Sequence, residues 1–157
     1  MKKLLVLLLM ATIITTIFSF SKHVIKPVAS QDKDSIARER EKYFKEVMAV
    51  IKDRKDLGCD SVFSNIKTFT GTQKVKAEHM LWIMSYWGEA LGVSCTHCHN
   101  PANWASDEKQ TKQIARDMYQ LRVKVNEDIL KNIKGLQSKT PRINCGTCHQ
   151  GHILPKE

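Results

Sequence analysis

Two five-residue segments concentrate the chemistry of this chain: Cys95-Thr96-His97-Cys98-His99 and Cys145-Gly146-Thr147-Cys148-His149. Together they take four of its five cysteines. Two residues between the thiols let one helical turn present both sulfurs to the same edge of a flat ligand. The histidine that follows then points beneath that ligand. This is how haem c is held, by thioether bonds to its vinyl groups and one axial imidazole nitrogen. At this composition a chance match is expected on the order of 0.006 times per chain, and two on the order of a few in a hundred thousand. Cys95, Cys98, Cys145 and Cys148 are therefore candidate attachment points for two covalently bound haem c groups, with His99 and His149 as iron ligands.

Zinc is the main rival, because two Cys-x-x-Cys pairs can close a tetrahedral site. Zinc gives no reason for a histidine at the same offset after both pairs. A thioredoxin-like pair would need a βαβ pattern around it, and none is visible. Cys59, the fifth cysteine, reads as a partly buried free thiol, with an intermolecular disulfide as its alternative.

Each iron would still need a second axial ligand. Met80, Met84 and Met118 are candidates, as are His23, His79, His97 and His152. His97 lies inside the first motif and is expected to point away from the haem. Met80 and Met84 are one turn apart, so a helix would put them on one face. Spacing alone does not choose among these residues.

The elements that would position them read as helices throughout, an all-α fold. Ile36, Tyr43, Phe44, Val47, Val50 and Ile51 recur at helical spacing, predicting an amphipathic helix from Ser35 to near Gly58. Asp60–Gly71 reads as a loop with one helical turn. A second helix is expected from Gln73 to Leu91, apolar on most sides and stopped by Gly92. A third should begin after Ser106 as its cap, with Asp107 and Glu108 at the positive end of the dipole. On it Ile114, Met118, Leu121, Val125 and Ile129 mark one apolar face, and Gly135 and Pro141 bracket the loop that follows. Tyr86, Trp82, Trp87 and Trp104 are expected to supply aromatic bulk around the first haem.

The N-terminus carries a different signal. Lys2 and Lys3 precede the apolar run 4–20, and Val28-Ala29-Ser30 offers small residues for cleavage. Residues 1–30 thus read as a signal peptide, with an uncleaved membrane anchor as the rival, and the remainder as exported to the periplasm. Residues 31–61 form a linker and the amphipathic helix, and 62–157 the haem-binding domain. The formal charge is +9, and taking away the four lysines of the first thirty residues, which hold no acid, leaves +5. For an exported chain, a basic surface fits an acidic protein partner or an anionic membrane rather than nucleic acid.

The chain resembles the cytochrome c subunit of photosynthetic reaction centres and its shorter relatives. The resemblance runs from VFSNIKTFTG at Val62 through MSYWGEALGVSCTHCHN and WASDEKQTKQIARDMYQLRVKVN to CGTCHQG and Pro155. It implies helix–turn–haem-helix units related by approximate two-fold pseudosymmetry. It also implies Met84 as the second ligand of the first haem, Met80 as packing, and Met118 of the Ala-Arg-x-Met stretch as the second ligand of the other. The implied function is outer-sphere electron transfer with redox protein partners, membrane-embedded ones included, and no catalytic residue. A haem-relay subunit of a membrane respiratory complex is the alternative, and a small haem peroxidase or reductase a weaker one. Reaction-centre subunits carry four haem motifs where this chain has two, and Gln150 stands where many relatives have arginine. Ser35–Asp60 lies outside the resemblance.

Overall fold

A computed structural model describes residues 32–69 and 75–155. The expected signal or anchor at 1–30 lies outside the described residues, as does Gln73, but Val75 and Lys76 of the helix expected from Gln73 are described and are not helical. Every regular element among the described residues is helical, as the apolar periodicity predicts. None of these helices is long and apolar enough to cross a membrane.

The first helix, α1, spans Lys33–Ile51 and continues as a 3₁₀ turn over Lys52–Arg54. It stops short of Gly58 because the next residues bond elsewhere. Lys55 and Leu57 turn their carbonyls to the amides of Glu78 and Ala77, at 3.0 and 2.9 Å. Those amides open the next long helix and have no partner within it, so an adjacent chain segment caps them. Cys59–Val62 forms a single helical turn, α2, and the Cys59 thiol is fully buried.

The central helix, α3, spans Ala77–Leu91. Ile51, Ala77 and Leu81 form the core between α1 and α3, with Phe44, Val47, Met48, Val62 and Phe63 packed against them. Its end is a Schellman turn. Gly92 adopts φ +66°, its amide donates to the Glu89 carbonyl, and the Val93 amide donates to Gly88 at 2.8 Å.

The third long helix, α4, spans Gln110–Lys124, followed by a π turn over Val125–Ile129 and a 3₁₀ turn over Leu130–Asn132. One sequence expectation needs correction here. Ser106 does not cap α4. Its hydroxyl accepts from the Glu108 amide, while the Asp107 carboxylate is held by Lys67, Arg116 and Asn65, so the chain stays non-helical until Gln110. The apolar stripe of α4 faces outward. Ile114, Met118, Leu121 and Ile129 are exposed, whereas Lys112, Arg116 and Tyr119 on the other side are buried. Lys112 and Arg116 are drawn inward because backbone carbonyls and Asp107 satisfy their charges there.

The last helix, α5, spans Cys145–His149. Asn144 and Thr147 cap it reciprocally, side chain to backbone amide in both directions at 3.0 Å. It packs against the end of α3, where the Gly151 amide donates to the Ala90 carbonyl at 2.8 Å.

Candidate functional site

The first motif is a tight turn pinned from both sides. Cys95–His97 is a 3₁₀ turn in which the His99 amide reaches back to the Cys95 carbonyl at 3.0 Å. The Thr111 hydroxyl at the start of α4 donates to the His97 carbonyl at 2.6 Å, and Lys109 bonds the Thr96 carbonyl. The motif therefore bridges the end of α3 and the start of α4.

Cys95, Cys98, His99 and Met84 all line one cavity of about 290 Å³. That lies at the lower edge of the roughly 300–1,000 Å³ typical of ligand pockets. Its walls are largely apolar, with Tyr43, Phe44, Phe63 and Trp87 among them. Of the four aromatics expected here, Trp87 and Trp104 line the cavity. Trp82 instead packs on Phe44 and is more than half exposed, and the Tyr86 hydroxyl lies near Gly146 of the second motif.

The donor set fits haem c. His99 Nδ1 lies 3.0 Å from the Trp104 carbonyl, which only accepts, so Nδ1 carries the proton. Nε2 is then left with its lone pair for a metal, the usual arrangement of a ligating imidazole. Burial holds the His99 pKa below its ordinary value, with the Trp104 carbonyl opposing, so the neutral ring is favoured. Burial also pushes the Cys95, Cys98 and Cys145 thiols up. Among the described residues no three His, Cys, Asp or Glu side chains come close enough to hold a metal ion, so the two pairs do not converge on a zinc site.

The second motif repeats part of this pattern. His149 is buried, and its Nδ1 lies 3.1 Å from the His152 carbonyl, which again leaves Nε2 for a ligand. Asn126, buried in the π turn, takes the Ile143 amide at 2.8 Å and donates to the Ile143 carbonyl at 3.0 Å. This pair fastens the chain just ahead of Cys145 to the end of α4. Arg122, one turn before Asn126, is close enough to act on the Cys145 thiol. Met118 lies outside the cavity, 42% exposed on the α4 stripe.

Several cavity residues were not tied to the site by the sequence. Arg40, Tyr43 and Phe44 come from α1, more than fifty residues before Cys95, and Lys112 and Arg116 come from the polar face of α4. The periodicity of α1 showed its aromatic side but not what that side would face, and an amphipathic reading of α4 assigns its lysine and arginine to solvent.

Comparison with known proteins places these features in a family. Cytochrome c-554 of Chloroflexus aurantiacus is 35% identical over 85 residues, covering 54% of this chain and 20% of that protein. The photosynthetic reaction center cytochrome c subunit of Rubrivivax gelatinosus is 32% identical over 99 residues, covering 55% of this chain and 27% of that protein. The same subunit of Thermochromatium tepidum is 37% identical over 62 residues, 40% of this chain and 14% of that protein. The chain thus spans about a quarter or less of the length of the curated relatives it matches. Residues 24–157, including the Ser35–Asp60 segment that lay outside the resemblance, match the family described as "Photosynthetic reaction centre cytochrome C subunit", and the chain belongs to that family.

Proposed function

We propose that the chain is an exported dihaem c-type cytochrome that transfers electrons by an outer-sphere route. The observation that carries this reading is the single cavity that gathers Met84, Cys95, Cys98 and His99 from α3 and the turn after it. A haem c bound there supplies a one-electron iron couple. Cys95 and Cys98 would hold it covalently, with His99 Nε2 and Met84 Sδ closing the two axial positions. Apolar walls from α1 and α3 keep water from the ring, and a Met ligand raises the potential relative to a second His.

A second haem c would be held by Cys145 and Cys148, with His149 and Met118 as ligands. Supporting this are the matching Nδ1 contact of His149 and the tie from Asn126 to the motif. The exposed apolar stripe of α4 would give that haem its cover. Both halves then read as a fifteen-residue helix with a methionine near its middle, followed by a haem turn, in approximate two-fold pseudosymmetry. Thioethers suit a chain of this size, too small to enclose two haems fully.

With both axial positions closed by side chains there is no place for a substrate, so the protein is a carrier and not an enzyme. Its partners are redox proteins, acidic or membrane-embedded, and it works in the periplasm, with membrane association through residues 1–30 if these are retained. The relatives named as reaction center subunits favour one further reading, a haem-relay subunit within a membrane complex. Cyanide and peroxide mixing with the oxidised protein tests the carrier reading. Slow or absent spectral change is expected. Binding within the mixing time at either haem would sink it, because it requires an open axial position.

A further inference from the structure

The carbonyl that orients His99 carries a second, charged partner. Trp104 O accepts from His99 Nδ1 at 3.0 Å and from the Lys112 ammonium at 3.1 Å. Lys112 is only 8% exposed, and its ammonium also donates to the carbonyls of Ala105 and Ser106, at 3.1 and 2.8 Å. Its contact to the Asp107 carboxylate is longer, 3.4 Å, and that carboxylate is shared with Lys67 and Arg116. Three cations therefore surround one acid, so the buried Lys112 charge is far from cancelled. The second motif differs. Among the described residues no cation bonds the His152 carbonyl that faces His149.

We propose that Lys112 is a positioning residue that sets the potential of the first haem through the Trp104 carbonyl. This rests on His99 ligating that haem. A hydrogen bond from Nδ1 to a strong acceptor pushes electron density onto the ring and makes Nε2 a better donor, which favours ferric iron. The ammonium draws on the same carbonyl oxygen and weakens it as an acceptor. His99 becomes a poorer donor and the ferric state is less favoured. The charge itself, held in a low-dielectric site, acts in the same direction. Lys112 thus raises the potential of the first haem and leaves the second unaffected, which helps separate the two couples.

Redox titration of the holoprotein, paired with proton NMR of His99 Nδ1–H in the diamagnetic ferrous state, tests this. Lys112→Met should lower the potential of one haem only and move the Nδ1–H resonance downfield. Lys112→Arg should return both toward the unsubstituted values. Lys67→Met, which removes a cation of the same cluster without touching Trp104, should leave the resonance in place. An unchanged first potential in Lys112→Met, or a static Nδ1–H signal, overturns the proposal. If Lys112→Met does not fold, the unsubstituted protein still decides. A cross-relaxation peak between His99 Nδ1–H and the Lys112 ammonium supports the shared carbonyl, and its absence overturns it. A His99 Nδ1–H without paramagnetic shift in the ferric protein overturns the ligand assignment itself, and this role with it.

Discussion

Met80 and Met84 stand one turn apart on α3 and both border the cavity, but burial separates them. Met80 is 2% exposed and among the most deeply buried side chains, whereas Met84 is only half-buried in the cavity wall. Met84→Ala should therefore abolish the weak Met–Fe(III) band at the red end of the oxidised spectrum. Met80→Ala should keep the band and instead destabilise the fold by about 2–5 kcal/mol in denaturant unfolding, the usual cost of truncating a buried methionine. The reverse pattern would reject the assignment. Such distinctions were only partly legible in the sequence. The motifs named the thiols and the imidazoles outright, because their spacing is a geometric requirement. The methionines came from a family resemblance, since a helical face bearing Met80 and Met84 fits either one. Lys112 was illegible, because a lysine on a helix reads as solvated until its carbonyl partners are brought in by the loop at Trp104–Ser106.

At the level of elements, α3 is the common support of both motifs. The first follows it directly, and the second packs against its end. A Cβ on Gly92 would collide with the Gly151 carbonyl oxygen, so the two backbones meet where only glycine fits. Gly92→Ala should cost more than the roughly 1–2 kcal/mol of left-handed strain alone, because α5 must also shift. Gly135 offers the comparison. It has φ +84° and nothing within 4 Å of an added Cβ, so Gly135→Ala should cost only the strain. Equal losses of stability in denaturant melts would contradict the close approach at Gly92. The sequence placed Gly92 as the helix stop but could not show the second motif arriving there, a contact between residues about sixty positions apart. Its other errors have a similar origin. The α1 and α4 boundaries were set by partners distant in the chain, the amides of Ala77 and Glu78 in one case and the ion cluster of Asp107 in the other.

Across the whole molecule, Asp107 joins the Asn65–Lys67 loop to α4. The Arg116 and Lys67 side chains hold its carboxyl well below the usual carboxylate range. A depressed folded pKa gives stability that is present above the ordinary carboxylate value and lost as pH falls toward the folded one. Asp107→Asn should therefore be less stable than the unsubstituted protein at neutral pH. The gap should begin to close below about pH 4 and keep closing on further acidification. A gap constant with pH would contradict the ion cluster. The carboxylate is partly exposed, so salt should narrow the gap as well.

The central claim concerns the whole chain, that both motifs carry covalent haem. The most direct measurement is the ratio of haem to protein after acid–acetone extraction of the purified protein, read by pyridine haemochrome absorbance. The account predicts two haems per chain retained after extraction. A ratio of one would confine haem to a single motif, and extraction of all colour into acetone would contradict covalent attachment altogether.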